Sequence, residues 1–247
     1  MFRKTSHAVQ EDRRPLLVIT ARVNSARFPQ KVLKPIYESY SILEFLLLRL
    51  KKNYYTSRLL LATADSSEND IVEKIGKKCN IKTIRGPEDD VLERVNMCLK
   101  NERNVSIIGR VTADNPLTDP NLILLQLQEM KNIKADYSYC HSSPIGTSVD
   151  LWTVECFERM YQNTNTQAER EHINSWVWKN PDQNKILWFV PPQAFCNSEI
   201  SVTIDTVKEY RRVKEIIQES KNPIALTIPE IISFCNNKIS GKQTKNE

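Results

Sequence analysis

Two aspartates, Asp114 and Asp205, are the side chains of this 247-residue sequence whose type and position best suit chemistry. Asp114 comes shortly after the apolar run 105–111, and Asp205 directly follows the apolar run 200–204. Open parallel sheets bind ligands beyond the carboxyl ends of their strands, so two strand-end aspartates can converge on one cation. Mg²⁺ prefers oxygen ligands and is usually held by one or two carboxylates together with substrate phosphates. The pair therefore predicts a magnesium site.

A basic loop after the first predicted strand supplies the opposite charge. It carries Arg22, Ser25, Arg27 and Lys31. Guanidinium and ammonium groups match the oxygens of a triphosphate, which bears about four negative charges. Backbone N–H groups in such a turn can complete a phosphate cradle. The loop contains no glycine, so it is neither a Walker loop nor a GxGxxG turn, and an ordinary basic surface loop is the alternative interpretation.

Both aspartates also have a structural interpretation, because aspartate is common in turns and at helix N-termini. Asp205 immediately precedes a predicted helix, so it suits capping as well as metal binding. Asp119 is predicted to do only this, capping a helix that begins at Asn121. Spacing alone leaves both roles open for Asp114 and Asp205.

The elements that must position these side chains alternate along the chain. Short apolar runs and helical patterns follow one another from Leu16 onward, which is typical of βαβ units and a mostly parallel sheet. The predicted strands are 16–20, 58–62, 81–84, 105–111, 137–140, 185–190 and 200–204. The predicted helices are 42–52, 68–79, 91–99, 121–131, 153–161, 167–178, 207–219 and 229–236. The pattern predicts an α/β fold with three layers, αβα, around a mostly parallel sheet.

Length and composition indicate a single domain, because 247 residues that are 40% hydrophobic can bury one sizeable core. We expect this domain over 15–236, between a disordered basic tail at 1–14 and a polar tail at 237–247. The regular alternation loosens over 141–192, where all four tryptophans lie. This segment is predicted to form a small insertion lobe and a dimer arm.

Charge, apolar runs and cysteine spacing exclude several classes of protein. No apolar stretch approaches the ~20 residues of a membrane span, and the N-terminal sequence lacks the pattern of a signal peptide. The two tails carry four of the five net positive charges, and no basic stripe laced with aromatic residues suggests nucleic-acid binding. The six cysteines contain no CxxC and are predicted to be unpaired thiols in a reducing compartment. We expect a cytoplasmic protein with neither membrane nor nucleic-acid partners.

Six motifs follow one another in a fixed order. They are Ala-Arg-x-x-Ser-x-Arg-x-Pro-x-Lys-Val-Leu (21–33), Leu-Ala-Thr-Ala-Asp (61–65), Arg-Gly-x-x-Asp-Asp-Val-Leu-x-Arg (85–94), Arg-Val-Thr-Ala-Asp-x-Pro-Leu-x-Asp-Pro (110–120), Arg-Glu-His (170–172) and Val-Thr-Ile-Asp-Thr (202–206). The set resembles the cytidylyltransferase family that activates sugars as CMP derivatives. The resemblance is strongest to the spore-coat polysaccharide biosynthesis branch, with CMP-ulosonate (Kdo, sialate) synthetases as more distant relatives. It extends over 16–219.

The resemblance implies a fold like that of the nucleotide-diphospho-sugar transferases (GT-A-like), a CTP substrate, Mg²⁺ and a homodimer. The residues implied in catalysis are Arg22, Lys31, Asp114 and Asp205, of which Asp114 and Asp205 match the metal-binding aspartates. Those implied in nucleotide binding are Ala21, Arg22, Ser25, Arg27, Lys31, Ala62, Thr63, Asp65, Arg85 and Arg110. Those implied in binding the acceptor are Gly146, Ser148, Asp150 and His172.

Three departures from the family pattern concern glycines and the acceptor segment. Gln30 stands where the family usually has glycine, and Glu38–Ser41 reads Glu-Ser-Tyr-Ser where the family usually has a Gly-x-Pro turn. The typical Pro-x-Gly-x-Asp-Val-Glu is here Pro-Ile-Gly-Thr-Ser-Val-Asp, which places Ser148 and Asp150 at the acidic positions. The sequence therefore leaves the acceptor open among an ulosonic acid, a sugar phosphate and a phosphonate.

These observations predict a nucleotidyltransferase of surface polysaccharide or glycoconjugate biosynthesis. An acceptor oxygen would attack the α-phosphorus of CTP, and pyrophosphate would leave. A glycosyltransferase that uses a nucleotide sugar is one alternative, although it predicts a DxD motif after a middle strand, which this sequence lacks. A catalytically silent nucleotide-binding protein is the other, and the presence of both aspartates and the loop cations argues against it.

Overall fold

A seven-stranded sheet lies at the centre of the computed structural model, which describes residues 14–25, 27–53 and 58–243, without the side chains of 53 and 239–243. Its strands follow the order β5-β4-β1-β6-β8-β7-β9, and only β8 is antiparallel to its neighbours within it. A separate antiparallel pair, β2-β3, lies outside the sheet. The strands are β1 Leu16–Thr20, β2 Pro35–Tyr37, β3 Tyr40–Ser41, β4 Leu59–Ala64, β5 Lys82–Gly86, β6 Ile107–Thr112, β7 Tyr137–Cys140, β8 Asp150–Thr153 and β9 Ile186–Phe189.

Helices cover both faces of the sheet, which confirms the predicted three layers and the mostly parallel α/β fold. Alternate residues of β1 point to opposite faces: Leu17 and Ile19 pack with α1, α2 and α4, whereas Leu16 and Val18 pack with α3, α5 and α7. The helices are α1 Ile42–Asn53, α2 Asp70–Lys78, α3 Val91–Lys100, α4 Pro120–Ile133, α5 Val154–Asn163, α6 Gln167–Glu171, α7 Ser175–Lys179, α8 Val207–Glu219 and α9 Ile228–Gln243. Among the described residues, no helix combines the length and the apolar character that crossing a membrane requires.

Local capping fixes the two helices that begin beside the predicted site. The Asp119 carboxylate accepts hydrogen bonds from the backbone N–H groups of Asn121 (2.7 Å) and Leu122 (3.1 Å), so its predicted capping role is confirmed. Thr206 and Glu209 form a complete capping box at the start of α8. Since Asp205 directly precedes this box, its backbone is held at a defined helix entrance.

The predicted strand at 200–204 is wrong. This segment forms one isolated bridge, between Ser201 and Ile145, and belongs to no ladder. Its backbone bonds instead to two loops: the Ile145 N–H donates to Ile200 O, and the Ile204 N–H donates to Asp114 O. Val202 and Ile204 are fully buried in a cluster that includes residues of α8. The apolar residues of this segment are therefore buried against a helix, although the same pattern also predicts a buried strand.

The segment 141–192 contributes β8 and β9 to the central sheet, so it does not form a lobe apart from it. The helix predicted at 167–178 is two short helices, α6 and α7, separated at 172–174. At the C-terminus, α9 continues through 237–243, into the predicted polar tail. The predicted disordered tail, apart from Arg14, lies outside the described residues, as do 244–247.

Candidate active site

A polar cleft opens where β1 and β6 end and where α8 begins. It encloses about 330 Å³. Its lining joins the loop after β1, the loop after β6, the start of α3, the end of α6 and the entrance of α8. Among the predicted site residues, the cleft brings together Ala21, Arg22, Ser25, Arg27, Lys31, Arg110, Asp114, His172 and Asp205. The ends of β1, β6 and α6 and the entrance of α8 thus deliver their polar side chains to one place, and the carboxyl edge of a parallel sheet favours such a meeting of strand ends.

Lys31 is the centre of this cleft. Its ammonium donates hydrogen bonds to Asp114 Oδ2 (2.8 Å), Asp205 Oδ1 (2.8 Å) and the backbone oxygen of Ile204 (2.9 Å). The residue is only 9% exposed, although it is charged. An ammonium has three donors, so all three are used. The two aspartates therefore converge on a single cationic group.

The main chain holds this arrangement in place. Lys31 begins a short 3₁₀ turn, Lys31–Leu33, directly after Gln30, whose backbone is left-handed at φ 55°. On the opposite side, the Asp205 N–H donates to the Glu209 carboxylate at 2.8 Å, within the capped entrance of α8. The backbone elements that carry Lys31 and Asp205 therefore set the positions of these two residues.

Three guanidinium groups crowd one side of the cleft. Burial lowers the pKa of Arg94, and the neighbouring positive charges of Arg22 and Arg110 lower it further. Burial also lowers the pKa of Arg110, against the opposing effect of Asp150 and Asp114. The ε N–H of Arg94 is buried and has no hydrogen-bond partner among the residues that the structure describes. Like charges held this close repel one another, and an anion in the cleft would relieve the repulsion.

Two cations of the loop after β1, Arg27 and Arg22, are more exposed to solvent than Lys31. The Arg27 side chain is 71% exposed, and its Nη2 lies 3.1 Å from Asp205 Oδ1. The Arg22 Nη2 lies 3.3 Å from Glu171 Oε1 across the cleft. Exposed ion pairs of this kind contribute little to stability and exchange partners readily. Both guanidiniums can therefore turn to a bound anion.

A second cavity of about 170 Å³ adjoins the cleft and shares Arg110 and Thr112 with it. Gly146, Ser148 and Asp150 line it, so three of the four predicted acceptor-binding residues lie together. Its other lining includes hydroxyl, imidazole and aromatic groups, from Tyr139, His141, Ser143 and Thr203. The fourth predicted residue, His172, lines the first cleft instead, at the end of α6.

Within the second cavity, Asp150 and Ser148 are partly engaged by the protein. Asp150 accepts hydrogen bonds from the hydroxyl of Tyr137 and from Asn174 Nδ2 (3.5 Å), and burial raises its pKa. The Ser148 hydroxyl donates to the backbone oxygen of Cys140 at 3.1 Å. These bonds orient both side chains in the cavity wall.

Four residues implied in nucleotide binding lie outside the lining of both cavities. Ala62 and Thr63 are fully buried in β4, so the geometry does not support contact of their side chains with a nucleotide. Arg85 donates to the carboxylates of Asp65 (3.2 Å) and Asp70 (2.8 Å). The structure gives Arg85 and Asp65 a role in joining β5 to the loop before α2. Their contacts with a nucleotide stay a prediction.

Arg94 is one of the cleft residues that sequence reasoning missed. It lies on the first turns of α3 among core positions, with its Nη1 donating to the backbone oxygens of Pro87 and Glu88. A buried arginine in an otherwise apolar helix face is unusual, since charged residues are seldom fully buried unless paired. Its place at the end of the 85–94 motif is the signal that could have found it.

The sequence matches the family model for cytidylyltransferases over residues 16–228. It is 31% identical over 217 residues to the uncharacterized protein MJ1063 of Methanocaldococcus jannaschii, covering 88% of each chain. It is 27% identical to the spore coat polysaccharide biosynthesis protein SpsF of Bacillus subtilis, covering 90% of this chain and 93% of the relative. These similarities extend over most of the predicted domain.

Solved structures agree with this relationship. A cytidylyltransferase from Leptospira borgpetersenii superposes with a TM-score of 0.84 at 25% identity, over 91% of this chain and 94% of the other. CMP:2-keto-3-deoxy-manno-octonic acid synthetase complexed with CTP shares the fold, with a TM-score of 0.64 at 15% identity over 83% and 99% of the two chains. Rv0371c of Mycobacterium tuberculosis complexed with manganese also shares the fold, with a TM-score of 0.55 at 14% identity over 81% and 96%. The chain belongs to the cytidylyltransferase family and is a nucleotidyltransferase that transfers CMP from CTP.

Proposed function

We propose that the acceptor is a sugar-like molecule with an anionic group, and that it binds in the cavity that contains Gly146, Ser148 and Asp150. The observation that carries this proposal is the junction of the two cavities at Arg110 and Thr112. Nucleotide and acceptor must meet at the α-phosphorus, so their sites must adjoin. Of the described cavities, these two share a wall at the end of β6.

The cationic side of the cleft suits the triphosphate of CTP. Arg22, Arg94 and Arg110 repel one another there, and Arg27 stands at the entrance with most of its side chain exposed. Guanidinium groups bind phosphate oxygens in pairs and remain charged at any physiological pH. Arg22, Arg27 and Arg94, which line this cleft and not the second cavity, would hold the β- and γ-phosphates, which leave as pyrophosphate, and stabilise the charge that develops on them.

The donor set between Asp114 and Asp205 fits a divalent cation. Two carboxylate oxygens already converge on one cationic group at 2.8 Å each. In the part of the chain that the structure describes, no cluster of three or more His, Cys, Asp or Glu side chains offers a closed metal site. Two carboxylates completed by phosphate oxygens and water are the usual arrangement for Mg²⁺. The complex of Rv0371c with manganese, a protein of the same fold, supports a divalent metal here.

When bound, the metal would polarise the α-phosphate and lower the pKa of the attacking oxygen. The chain's own residues supply positioning. Arg110 and Thr112 lie where the two ligands meet, while Asp150, held by Tyr137, offers a carboxylate to a hydroxyl of the acceptor. No covalent intermediate with the protein is needed, so orientation and electrostatic stabilisation would account for most of the rate.

The acceptor class follows from the charge of the junction. An ulosonic acid, a sugar phosphate and a phosphonate each bring an anion that Arg110 can bind. The relative SpsF is named for spore coat polysaccharide biosynthesis, which supports a role in making a surface polysaccharide or glycoconjugate. The six cysteines are all unpaired, which supports a cytoplasmic location for the protein.

A symmetric homodimer through the edge of the sheet at β9 is part of the proposal. Trp188 on β9 is 53% exposed, and the neighbouring Trp178 and Val190 are 43% and 62% exposed. The two tryptophan rings lie 6.4 Å apart and form a continuous aromatic surface with Tyr139. Apolar surface of this kind beside an unpaired strand edge favours association. Light scattering at micromolar concentration should give the mass of a dimer, and Trp188→Arg should reduce it to a monomer.

Pyrophosphate release tests the activity directly. The protein is incubated with CTP, Mg²⁺ and each of an ulosonic acid, a sugar phosphate and a sugar phosphonate. We expect release with one of the three, and release that is equal with and without acceptor would contradict the proposal. CTP should also raise the melting temperature more than ATP, GTP or UTP, because a ligand stabilises the state that it binds.

A further inference from the structure

We propose that Lys31 competes with the divalent metal for Asp114 and Asp205, so that the metal binds tightly only together with CTP. This inference rests on the proposed metal site and adds that the metal and the nucleotide bind together. The ammonium holds the two carboxylates, and the arriving metal–nucleotide complex displaces it onto the phosphates. Lys31 is thus a coupling residue between the metal site and the nucleotide site.

The contacts make the two cations mutually exclusive. The ammonium lies 2.8 Å from Asp114 Oδ2 and 2.8 Å from Asp205 Oδ1, the two side chains that a metal would bridge. A Mg²⁺ ion requires ligands at 2.0–2.1 Å in near-ideal octahedral geometry. An ammonium and a metal cannot both occupy the space between the same two carboxylates, so one must leave when the other binds.

The local charges show why the metal alone is a weak competitor. The two carboxylates are balanced by the Lys31 ammonium and by the Arg27 guanidinium, which lies 3.1 Å from Asp205. A divalent ion added to this neutral group gives the group a net charge of +2. It also displaces Lys31 from its three hydrogen bonds, and Lys31 is only 9% exposed to solvent that could replace them. A buried ammonium without partners is costly, so the exchange is unfavourable.

Binding of CTP offsets both the excess positive charge and the loss of the Lys31 hydrogen bonds. Its phosphates bring about four negative charges into a cleft that already holds the guanidiniums of Arg22, Arg94 and Arg110. Lys31 lines the same cleft, so a displaced ammonium meets phosphate oxygens within reach of its flexible side chain. The nucleotide therefore favours metal binding, and by linkage the metal favours nucleotide binding by the same factor.

The test measures binding of Mn²⁺, which reports free metal by electron paramagnetic resonance, to the full-length protein with and without CTP. For the wild type we expect affinity on the order of 10-fold to 100-fold higher with CTP than without it. Lys31→Met keeps the length of the side chain and removes its charge. This variant should bind Mn²⁺ alone at least about 5-fold more tightly than the wild type, with most of the coupling to CTP lost.

Lys34→Met is the matched control. Lys34 ends the same 3₁₀ turn, carries the same charge and lies outside the lining of the cleft. Its Mn²⁺ affinity should equal that of the wild type with and without CTP. If Lys31→Met binds Mn²⁺ alone no better than Lys34→Met does, Lys31 does not compete with the metal and the inference fails.

Asp205→Asn separates failure of this inference from failure of the metal assignment. If Asp205→Asn binds Mn²⁺ with CTP as well as the wild type does, the metal does not lie on Asp205 and the proposed site itself is wrong. If Asp205→Asn loses binding while Lys31→Met gains none, only the competition is wrong. Melting curves with and without Mn²⁺ provide a second readout. In them, Mn²⁺ alone should raise the melting temperature of Lys31→Met more than that of the wild type.

Discussion

The backbone N–H of Ile204 donates a hydrogen bond to the backbone oxygen of Asp114 at 2.9 Å. This bond joins the loop after β6 to the extended segment before α8, two parts of the chain separated by about ninety residues. It fixes Asp114 and Asp205 relative to each other through the main chain. Changes to either side chain should therefore alter the chemistry of the site without moving the backbone that carries it.

The first prediction is that Asp205→Asn removes most of the activity and leaves the fold intact. A metal held between two carboxylates loses a charged ligand in this variant, so we expect turnover to fall by roughly 100-fold or more. Asparagine can still accept a hydrogen bond from Lys31, and Lys31 keeps its bonds to Asp114 and to the backbone oxygen of Ile204. The free energy of unfolding should therefore fall by only about 1–3 kcal/mol. Steady-state kinetics and urea unfolding measure the two effects.

Thr206→Ala is the control for this prediction. Thr206 caps α8 immediately after Asp205, and its side chain accepts a hydrogen bond from the Glu209 N–H. Loss of the cap should cost about 1 kcal/mol of stability with little change in turnover. An Asp205→Asn variant that behaves in the same way, with wild-type turnover and Mg²⁺ dependence, would show that Asp205 serves the helix and not a metal.

The second prediction concerns two residues with left-handed backbone, Gln30 at φ 55° and Glu38 at φ 48°. Side chains with a Cβ are strained there, whereas glycine is not. Gln30→Gly and Glu38→Gly should each raise the free energy of unfolding, by up to about 1 kcal/mol after the larger entropy loss of glycine. Ser39→Gly, next to Glu38 but without a positive φ, should lower it. Equal destabilisation by all three changes, in urea unfolding, would contradict this account.

The backbone at Gln30 and Glu38 can be compared with the residues that the family pattern has at these positions. Gln30 and Glu38 lie at or within the places where the family usually has glycine, and both keep the backbone conformation that glycine favours. The loop before Lys31 and the turn between β2 and β3 therefore each contain a left-handed residue that glycine would occupy without strain. The sequence shows which residues stand at these positions, whereas only the structure shows their backbone conformation.

Elements with strong local signals could be predicted with their bounds. β1 is a fully buried apolar run, and α8 begins at a complete capping box, so both begin and end where the sequence indicates. The segment 167–178 has a helical pattern as well, but the chain turns at 172–174, where Asn174 hydrogen-bonds to Asp150 of β8. The two residues are distant in sequence and meet only in the folded chain, so no local sequence pattern predicts their contact.

Many of the residues that line the candidate cleft could be named from the sequence, but the contacts between their side chains could not. Strand-end aspartates and a basic loop are visible in the sequence, and the structure brings them together. The bond from Lys31 to Asp114 spans 83 residues, and the bond from Lys31 to Asp205 spans 174. Because Lys31 is a cation in a loop predicted to bind phosphate, the sequence favours a phosphate partner. Only the folded geometry shows that carboxylates hold it.

The third prediction is that Gly146→Ala impairs use of the acceptor more than binding of CTP. Gly146 has φ 94°, and an added Cβ would lie 2.9 Å from the backbone nitrogen of Thr203 and 3.0 Å from Asn115 Oδ1. All three residues line the cavity that we propose for the acceptor. We expect a loss of about 1–3 kcal/mol in stability and a raised KM for the acceptor, with the Kd for CTP unchanged. An equal effect on both ligands would place Gly146 outside a dedicated acceptor site.

The fourth prediction uses the buried carboxyl group of Asp150. Burial raises its pKa above the ordinary value of 3.8, although the Tyr137 hydroxyl and Arg110 act in the opposite direction. A carboxyl with a raised folded-state pKa contributes stability that is complete below the unfolded pKa and is lost as the pH rises through the folded pKa. The wild type should therefore lose stability relative to Asp150→Asn as the pH increases above about 4, since the amide does not ionise.

Melting temperatures of the two proteins across pH 4 to 8 measure this difference. The informative quantity is the change of the difference with pH, because the substitution also alters the hydrogen bonds to Tyr137 and Asn174 at every pH, including pH values at which Asp150 is protonated. Asp182→Asn, at an exposed position in a short 3₁₀ turn, is the control and should follow the wild type at every pH. A difference between the wild type and Asp150→Asn that stays constant over this range would mean that Asp150 ionises in the folded protein as easily as in the unfolded chain. In that case burial in the acceptor cavity would not control its charge, and Asp150 would meet the acceptor as an ordinary carboxylate.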